Sequence, residues 1–396
     1  MKFATAIPSF SRRKGGAERY IVDLCIWMAK EGHEVHVYAE HWDEEAQGIH
    51  LHRVKTLPFP KSLRLLSFAI KATREMKRGD YDVTLGVGNT LEADVIQPHG
   101  GVHWAWFWRS LKAYDNPILW TIKLLGRVLS PKQWVSGWIE NAPYKKKRFH
   151  KIVAISDMVK QDIIRWYDIP ENKIEVLYNG VDIERFHPRN RQYREDIRER
   201  FGIGDDFVML FVSNNFRMKG LEHLLKALAD IKKEDHPPFK LLILGRDRKG
   251  PYLRLIKKTG ISSEIIFAGS TKEPEKYYGA ADLFIHPAFY DAFSLTVLEA
   301  LASGLPVITT SSTGASGILN HGKDGLIIKT IKDLEELKMA IRYFFKEDMR
   351  HEASHSGRMK AEMHSNKINF IGMDRVLKEF LNTPVAQQGQ WSRRSK

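Results

Sequence analysis

The stretch Leu283-Phe-Ile-His-Pro-Ala-Phe-Tyr-Asp-Ala-Phe-Ser-Leu-Thr-Val-Leu-Glu-Ala-Leu-Ala-Ser-Gly-Leu-Pro-Val-Ile-Thr-Thr310 predicts a strand, a loop, a short helix and a second strand. Both ends are apolar runs of strand length, and few residues between them oppose a helix. Ser294 is a favourable N-cap, Gly304 suits the left-handed position after a helix, and Pro306 prevents continuation. The pattern therefore predicts a helix over 295–303, about two and a half turns long.

The N-terminus of this helix is expected to face the loop that contains Asp291. Side chains on a helix tilt toward its N-terminus, so Glu299, about one turn inside, is expected to point back toward the same loop. A helix start presents free backbone N–H groups and a partial positive charge. Together with two carboxylates, this arrangement suits a ligand that carries both an anion and a diol, such as a nucleotide.

Length and composition favour a globular protein of two domains. The chain has 396 residues, which is long for one core, and its 43% hydrophobic and 28% charged residues are typical of folded domains. The single cysteine, Cys25, excludes an intrachain disulfide and indicates a reducing compartment. We see neither a signal peptide nor an uncharged apolar run of about 18 residues. We therefore expect a cytoplasmic protein.

The first residues predict a β-α-β unit. Apolar strands are expected at 2–7 and 34–38, and the helix between them follows the loop 9–19. Such units are right-handed and parallel. Gly15 and Gly16 lie just before the helix, where a backbone without side chains could approach a phosphate or a sugar closely. A simple turn is the alternative interpretation of this glycine pair.

A histidine follows the next strands of the same predicted sheet. Strands are expected at 82–86 and 94–97, and the loop 98–101 lies at the carboxyl edge, where open α/β sheets bind their ligands. His99 therefore occupies a functional position, with a structural histidine as the alternative. His103 could share a site with it. No carboxylate or cysteine at ligand spacing accompanies the pair, so we reject a zinc site.

The segment 103–150 combines aromatic and basic side chains. These are Trp104, Trp106, Phe107, Trp108, Trp120, Trp134 and Trp138 with Arg109, Lys112, Lys123, Arg127, Lys132 and Lys145-Lys-Lys-Arg148. One interpretation is an insertion that packs on the domain beside a solvated basic face. The other is a membrane-surface patch, in which rings lie at headgroup level and cations attract anionic lipid.

The formal net charge of +14 calls for an acidic partner, which could be nucleic acid, anionic lipid or a phosphorylated substrate. Nucleic acid uses aromatic and basic residues together. No RNA- or DNA-binding signature is present, so we expect no nucleic-acid partner.

The second half of the chain begins a new series of strands and helices. The Asn179-Gly180 turn and the charged run to Arg200 predict a linker, and a strand at 208–212 starts a second doubly wound domain. Arg217 and Lys219 follow that strand and precede a helix. Two fixed cations there could neutralise a diphosphate. The alternative is two solvated cations on an exposed loop.

Several of these motifs resemble family 4 glycosyltransferases of the GT-B type. They are Asn179-Gly-Val-Asp182, Arg217-x-Lys-Gly220, the loops at Gly245 and Gly269, and Asp291 through Val307. The resemblance runs from residue 2 to about residue 381. Within the family, the segments 15–19, 32–38 with Trp42, 215–220 and 286–289 look closest to the lipopolysaccharide core glucosyltransferases that extend the inner-core heptose.

The resemblance implies an α/β fold of the GT-B type, with two doubly wound Rossmann-like domains facing across a cleft. The expected parts are an N-terminal acceptor-side domain over 1–183, which contains 103–150, and a C-terminal nucleotide-sugar-binding domain over 184–365. A closing helix over 366–382 is expected to return to the first domain. The residues 383–396 are predicted to form a disordered tail.

The resemblance also implies a retaining transfer of a hexose from a nucleotide sugar, without a metal or other cofactor. Carried over by position, Glu299 would bind the ribose diol, and Arg217 and Lys219 would bind the diphosphate. Asp291 stands where the family usually has a glutamate, near the donor hexose. The other implied contacts are the backbone of Phe293, Ser294 and Leu295 with sugar and phosphate, Gly15 and Gly16 with the phosphate, His99 with the sugar near its 6-hydroxyl, and Arg246 and Gly269 with the base. The catalytic set would be His99, Asp291, Arg217 and Lys219.

The expected reaction moves glucose from UDP-glucose to a phosphorylated lipopolysaccharide core or related lipid-linked saccharide. Arg12, Arg13 and Lys14 could contact the acceptor phosphates. The protein would then lie peripherally on the inner face of the cytoplasmic membrane. A family 4 transferase with another donor or a soluble acceptor stays open, as does a non-catalytic binding protein. A nucleotide-sugar epimerase of the same fold is a further alternative, although its active-site pattern is not found.

Overall fold

A computed structural model of the chain describes residues 1–147 and 149–382, which form two compact units. The first unit consists of Met1–Tyr178 and resumes at Asn369, and the second unit is Asn179–Ile368. The predicted disordered tail, 383–396, lies outside the described residues.

The first unit is organised around a parallel sheet. Its strands are β1 (Lys2–Ala6), β2 (Ser9–Phe10), β3 (Glu34–Ala39), β4 (His41–Trp42), β5 (Ile49–Arg53), β6 (Val83–Gly86), β7 (Val95–Ile96), β8 (Lys151–Ala154) and β9 (Ile174–Val176). Seven of them pair in the order β5-β3-β1-β6-β7-β8-β9, with every pairing parallel. The short strands β2 and β4 form a separate parallel pair. Strands β3 and β6 are largely buried apolar runs, as expected when helices cover both faces of a sheet.

Helices connect these strands. They are α1 (Gly16–Lys30), α2 (Lys61–Arg78), α3 (His103–Arg109), α4 (Pro117–Val128), α5 (Pro131–Lys146) and α6 (Asp157–Tyr167). Helix α1 buries Ile21, Leu24, Cys25 and Met28 in the core of this unit, which is the apolar face that their helical spacing predicts.

The second unit repeats the same plan. Its elements are α7 (Arg194–Arg200), β10 (Phe207–Val212), α8 (Leu221–Ile231), β11 (Phe239–Leu244), α9 (Gly250–Thr259), β12 (Ile265–Gly269), α10 (Pro274–Ala280), β13 (Leu283–His286), α11 (Leu295–Ala302), β14 (Val307–Thr310), β15 (Gly325–Ile328), α12 (Leu334–Tyr343) and α13 (Glu347–Glu362). The six strands pair in parallel in the order β12-β11-β10-β13-β14-β15. The last helix, α14 (Asn366–Leu381), places Phe370, Met373 and Leu377 in the core of the first unit.

Strand order reverses once in each sheet. The reversal lies between β1 and β6 in the first unit and between β10 and β13 in the second. Open α/β sheets bind ligands beyond the carboxyl ends of the strands at such a switch point. The loops that follow these four strands are therefore the places to look for a site.

The structure differs from the sequence-based predictions of local structure in two places. The charged run to Arg200, expected to be a linker, forms a 3₁₀ turn at Pro188–Tyr193 and helix α7. Arg194 and Arg198 both pair with Asp282, so these charges attach the segment to the second unit. Helix α13 was not predicted, because its Arg-, Glu- and His-rich sequence shows little apolar periodicity. Within the described residues, no helix is long and apolar enough to cross a membrane.

Candidate functional site

The loops after β10 and β13 meet at the switch point of the second sheet. The two strands pair in parallel, so both loops leave from the carboxyl edge. Gly220 ends the first loop with a φ of 77°, and a Cβ at this position would lie 2.2 Å from the carbonyl oxygen of Pro287 in the second loop. Glycine is required for this approach, which holds the neighbouring Lys219 beside the second loop.

Lys219 and Asp291 form an ion pair between these loops. Lys219 Nζ lies 2.6 Å from Asp291 Oδ2 and donates to the carbonyl oxygen of Tyr290 at 3.2 Å. His286, the last residue of β13, donates from Nε2 to the same Asp291 oxygen at 3.0 Å. The two charged side chains are only 18% and 20% exposed. The carboxylate is therefore fixed between a cation and an imidazole in a largely water-free position.

The charges of this cluster depend on one another. Burial would raise the pKa of Asp291, but Lys219 and His286 outweigh it and hold that pKa well below its usual range. Burial lowers the pKa of His286, against the influence of Asp291. At neutral pH the cluster thus contains an ionised Asp291 and a neutral His286. The Nδ1 atom of His286 is buried and has no hydrogen-bond partner among the described residues.

Ser294 precedes α11 but does not cap it, so the prediction of an N-cap was wrong. Its backbone is left-handed, with a φ of 80°, and its Oγ lies 3.2 Å from His286 Nε2 and 2.9 Å from Thr296 Oγ1. The hydroxyl therefore contacts His286 in the cluster around Asp291, and this side chain does not cap the start of the helix. A left-handed conformation at a non-glycine residue is strained, and such strain is concentrated at functional sites.

The neighbours of Ser294 have different surroundings. Phe293 is buried, and its N–H donates to Asp291 Oδ1 at 3.4 Å. Leu295 is the first residue of α11, and the first amides of a helix have no partner within the helix. The predicted helix is confirmed to within a residue at its end, and Gly304 adopts the expected left-handed conformation with a φ of 72°.

Glu299 lies inside α11 and is 8% exposed. Its Oε2 accepts a hydrogen bond from the hydroxyl of Tyr278 at 3.0 Å. The same hydroxyl lies 3.4 Å from the carbonyl oxygen of Thr296. Tyr278 belongs to α10, so this neighbouring helix fixes the orientation of the Glu299 carboxylate.

The remaining predicted residues of the second unit lie on the same carboxyl edge. Arg217 is partly exposed on the loop between β10 and α8. The N–H of Arg246 donates to Asn214 Oδ1 at 2.9 Å, and its Nε donates to Ser270 Oγ at 2.8 Å. Gly269 directly precedes Ser270 and has a φ of 79°. The loops after β10, β11 and β12 are therefore tied together by these contacts.

In the first unit, the predicted glycine pair lies at the switch point. Helix α1 begins at Gly16, and Gly15 before it has an extended backbone. Both glycines are exposed. A Cβ on Gly15 would lie 2.7 Å from the carboxylate of Glu18, so the Glu18 side chain already curls over this position.

The basic loop before these glycines is only partly available to a ligand. Arg12 Nη2 lies 2.6 Å from Asp23 Oδ1, and Arg12 Nη1 lies 3.6 Å from Glu44 Oε2. Arg13 and Lys14 are exposed. Of the three cations predicted to meet acceptor phosphates, Arg12 is therefore held by carboxylates of its own unit.

His99 belongs to a polar network beyond β7. Its ring contacts that of Tyr20 of α1, with centroids 4.3 Å apart and the planes tilted by 51°, and its Nε2 lies 3.0 Å from Gln97 Oε1. Gln97 Nε2 in turn donates to the Tyr20 hydroxyl at 3.3 Å. Burial lowers the pKa of His99 to about 3, so the ring is neutral at pH 7. Since Nε2 must donate to the Gln97 oxygen, Nδ1 carries the acceptor lone pair.

Two family models match the chain. The model described as Glycosyltransferase Family 4 matches residues 14–185, and that described as Glycosyl transferases group 1 matches residues 193–360. The chain belongs to the family 4 glycosyltransferases. It has the GT-B fold of this family, with one Rossmann-like sheet in each unit.

Named relatives agree with this assignment. The uncharacterized glycosyltransferase MJ1607 of Methanocaldococcus jannaschii is 27% identical over 79% of this chain and 80% of its own length. The lipopolysaccharide glucosyltransferase WaaG of Escherichia coli is 23% identical over 83% of this chain and 85% of its own length. A crystal structure of WaaG superposes with a TM-score of 0.79 at 20% identity, covering 95% of this chain and 99% of the other. The structure of the Anabaena protein HepE in complex with UDP-glucose superposes with a TM-score of 0.71 at 17% identity, covering 96% of this chain and 100% of the other.

The aromatic and basic segment of this glycosyltransferase forms α3, α4 and α5. One side of α4 is apolar and exposed, with Ile118 71% and Ile122 61% accessible, and Leu129 just beyond the helix is 77% accessible. The other exposed apolar side chains of this segment are Leu119, Leu125, Val128, Trp108, Trp134 and Trp138. We call these nine residues the apolar patch.

Some basic residues of the segment are structural. Arg109 forms a bidentate pair with Asp162, at 2.5 and 2.7 Å. Arg127 is buried, donates to the carbonyl oxygen of Phe107 at 2.6 Å and lies over the ring of Trp106. These arginines hold the helices together; Arg127 is buried, and Arg109 is partly exposed. The exposed cations are Lys112, Lys123, Lys132, Lys145, Lys146 and Lys147, while Arg148 lies outside the described residues.

Four residues of the candidate site were not identified from sequence. Tyr278, which holds Glu299, has no motif around it that marks it as functional. Gln97 and Tyr20 orient His99 from positions 2 and 79 residues away in the chain. His286 was quoted only as part of a similar segment. Its position at the end of a predicted strand, five residues before Asp291, was a signal that could have identified it.

Proposed function

We propose that this glycosyltransferase transfers a hexose, with retention of configuration, from a nucleotide sugar to a lipopolysaccharide core or related lipid-linked saccharide. UDP-glucose is the proposed donor. The observation that carries the proposal is the Lys219–Asp291 ion pair, which lies at the switch point of the second sheet beside the start of α11. A cation, a carboxylate and free helix amides at one place match a sugar diphosphate.

The diphosphate is assigned to Lys219, Arg217 and the first amides of α11. Breaking the anomeric bond leaves a nucleoside diphosphate on which negative charge grows. A fixed cation and a helix N-terminus stabilise such charge, and one well-placed donor contributes about 3 kcal/mol. These groups supply the charge that a metal ion supplies in other transferases.

The nucleoside is assigned to the remaining predicted residues of the second unit. Glu299 would accept hydrogen bonds from the ribose diol, since a carboxylate has about four acceptor positions and the hydroxyl of Tyr278 occupies one of them. The loops that contain Arg246 and Gly269, tied together through Ser270, would hold the base.

Asp291 is assigned to the donor hexose. As the anomeric C–O bond breaks, positive charge develops on the sugar, and a nearby carboxylate stabilises it. The acceptor hydroxyl oxygen forms the new bond to the anomeric carbon on the same face. Its proton passes to the departing phosphate oxygen, so no enzyme nucleophile is required.

The first unit is assigned two contacts. Gly15 and Gly16 would let the backbone approach a phosphate at the start of α1. His99, neutral and fixed through Nε2, would accept a hydrogen bond from a sugar hydroxyl on Nδ1. Both assignments place the ligand at the carboxyl edge of the first sheet.

A lipid-linked acceptor is supported by the apolar patch. An exposed apolar helix face flanked by lysines is the pattern of a protein that binds an anionic membrane surface from one side. Of the relatives, WaaG is named as a lipopolysaccharide glucosyltransferase, and HepE is described in complex with UDP-glucose. The proposed location is therefore peripheral, on the inner face of the cytoplasmic membrane.

The purified protein should be tested with UDP-glucose, UDP-galactose, GDP-mannose and ADP-glucose, each with a lipopolysaccharide core acceptor and with a soluble glucan. We expect release of UDP from UDP-glucose that depends on the lipid-linked acceptor, and an α-linked product by NMR. Preference for another donor or for the glucan would favour the alternative transferases. Conversion of the nucleotide sugar without an acceptor would favour an epimerase or hydrolase.

A further inference from the structure

A cluster of three histidines and a glutamate lies at the edge of the first sheet. Glu34 and His36 are on β3, and His50 and His52 are on the edge strand β5. The parallel register places His36 opposite His50, with Glu34 two residues before His36 and His52 two residues after His50. Since side chains alternate along a strand, all four point to the same face of the sheet. We call these four residues the histidine cluster.

The side chains of the histidine cluster converge. One ligand atom each of Glu34, His36 and His50 lie within 4.8 Å of one another. His36 Nε2 is 2.9 Å from Glu34 Oε1, and the His36 and His50 rings stack with centroids 4.7 Å apart. Among the residues that the structure describes, this is the group of three with the spacing of metal ligands.

We propose that Glu34, His36 and His50 bind a divalent first-row transition ion, with Zn²⁺ as the best match. Imidazole and carboxylate are ligands that Zn²⁺ favours, and two histidines with one glutamate leave a fourth position for water. Ligands about 2.1 Å from a tetrahedral ion lie about 3.4 Å apart. Glu34 and His50 are exposed, so small rotations of their side chains can bring the three ligand atoms from the present spacing to that value.

His52 completes the arrangement by orienting His36. Its Nε2 lies 2.8 Å from His36 Nδ1. With an ion on His36 Nε2, the ring carries its proton on Nδ1 and donates it to His52 Nε2. Metal-binding histidines almost always donate their second ring nitrogen in this way, which fixes the tautomer and the ring direction. His52 is therefore a positioning residue and not a ligand.

The site would be structural and separate from catalysis. The proposed ligands Glu34, His36 and His50 lie toward the amino-terminal ends of β3 and β5, whereas His99 and Gly15 follow the carboxyl ends of strands in the same sheet. An ion here links the edge strand β5 to β3. It would stabilise the first unit without taking part in sugar transfer, so the inference does not depend on the proposed function.

Calorimetric titration of the full chain, without a histidine tag and treated with chelator, with Zn²⁺ tests the proposal. We expect one saturable site, and at least tenfold weaker binding in His50→Ala and in Glu34→Gln, which corresponds to about 1.4 kcal/mol each. Both residues are exposed, so these variants should keep the fold, and thermal unfolding without metal checks this. His355→Ala, which removes an exposed histidine of the second unit, should bind Zn²⁺ like the wild type.

Thermal unfolding gives a second measurement. Zn²⁺ should raise the Tm of the wild type and of His355→Ala, but not that of His50→Ala or Glu34→Gln, because an ion that binds the folded state stabilises it by mass action. The proposal is overturned if the wild type shows no saturable binding of Zn²⁺, or if His50→Ala and Glu34→Gln bind Zn²⁺ as strongly as the wild type does.

Discussion

Lys219 Nζ lies 2.6 Å from Asp291 Oδ2, and the two residues follow adjacent strands at the switch point of the second sheet. A diphosphate that binds Lys219 must therefore compete with a carboxylate that is already in place. The pair holds the cation in position before the donor arrives. In the proposed mechanism, Asp291 faces the sugar once the diphosphate engages Lys219.

Replacing Asp291 by asparagine should separate binding from turnover. Asp291→Asn removes the competing negative charge, so UDP should bind about tenfold more tightly, a change of about 1.4 kcal/mol. Turnover should fall by about 100-fold, because the charge that stabilises the developing positive charge on the sugar is lost. Calorimetry with UDP and a UDP-release assay measure the two effects. The exposed Asp235→Asn is the control. Weaker UDP binding in Asp291→Asn would contradict the competition argument.

Gly220→Ala tests the close approach of the two loops. A Cβ at Gly220 would lie 2.2 Å from the carbonyl oxygen of Pro287, and the backbone there is left-handed. We expect a loss of about 2–3 kcal/mol in the free energy of unfolding, measured by urea denaturation, together with weaker UDP binding. Gly250→Ala is the matched control, since the backbone at Gly250 does not have a positive φ and nothing lies within 4 Å of the added Cβ. If Gly220→Ala behaved like Gly250→Ala, the loops would not be in close contact.

The lowered pKa of His99 predicts how the stability of the protein depends on pH. Its pKa is lowered to about 3 in the folded protein, below the ordinary value of 6.5. Between these two pH values the unfolded chain binds a proton that the folded protein does not, so His99 causes stability to fall as the pH decreases below 6.5. The loss in free energy of unfolding from pH 6.5 to pH 5 should be smaller in His99→Gln than in the wild type, by up to about 2 kcal/mol.

Urea denaturation of both proteins at the two pH values measures this difference. An NMR titration of His99 gives its pKa directly. Equal pH dependence in the two proteins, or a measured pKa near 6.5, would show that His99 is not buried as a neutral ring.

Sequence patterns predicted the two Rossmann-like folds because apolar strands, helices and turn residues are local signals. The helix after Asp291 and the left-handed Gly304 were predicted on this basis. The surroundings of Ser294 were not, because an N-cap is assigned from local preference, whereas the hydroxyl contacts His286, eight residues earlier. Local patterns carry no information about such contacts.

The contacts of the basic residues could not be predicted from local sequence patterns either. Sequence cannot distinguish Arg109 and Arg127, which are used inside the first unit, from the exposed Lys123 and Lys132. All four occur in one aromatic and basic segment. Their separation into structural and exposed cations depends on the fold of α3, α4 and α5.

The apolar patch predicts binding to anionic membranes. Ile122→Glu with Leu125→Glu should reduce co-sedimentation with vesicles of phosphatidylethanolamine and phosphatidylglycerol at least tenfold, because burying each side chain contributes about 1.5–3 kcal/mol. The double replacement of Lys123 and Lys132 by glutamine should weaken binding at low salt and have less effect at high salt. Leu253→Glu changes a similarly exposed leucine in the second unit and should have no effect. Unchanged vesicle binding in the Ile122→Glu, Leu125→Glu variant would show that the apolar patch is not the membrane-binding surface.

The most direct test of the proposed diphosphate site is calorimetric titration of UDP into the wild type, Lys219→Ala and Lys226→Ala. Lys226 lies on α8, the helix that follows the loop of Lys219, and pairs with Glu222, so its replacement controls for the loss of one positive charge. Lys219→Ala should weaken UDP binding by about 10- to 100-fold, which is the contribution of a hydrogen bond to a charged group. Lys226→Ala should stay within about twofold of the wild type. Equal affinity for UDP in Lys219→Ala and the wild type would contradict the assignment of the donor diphosphate to this site.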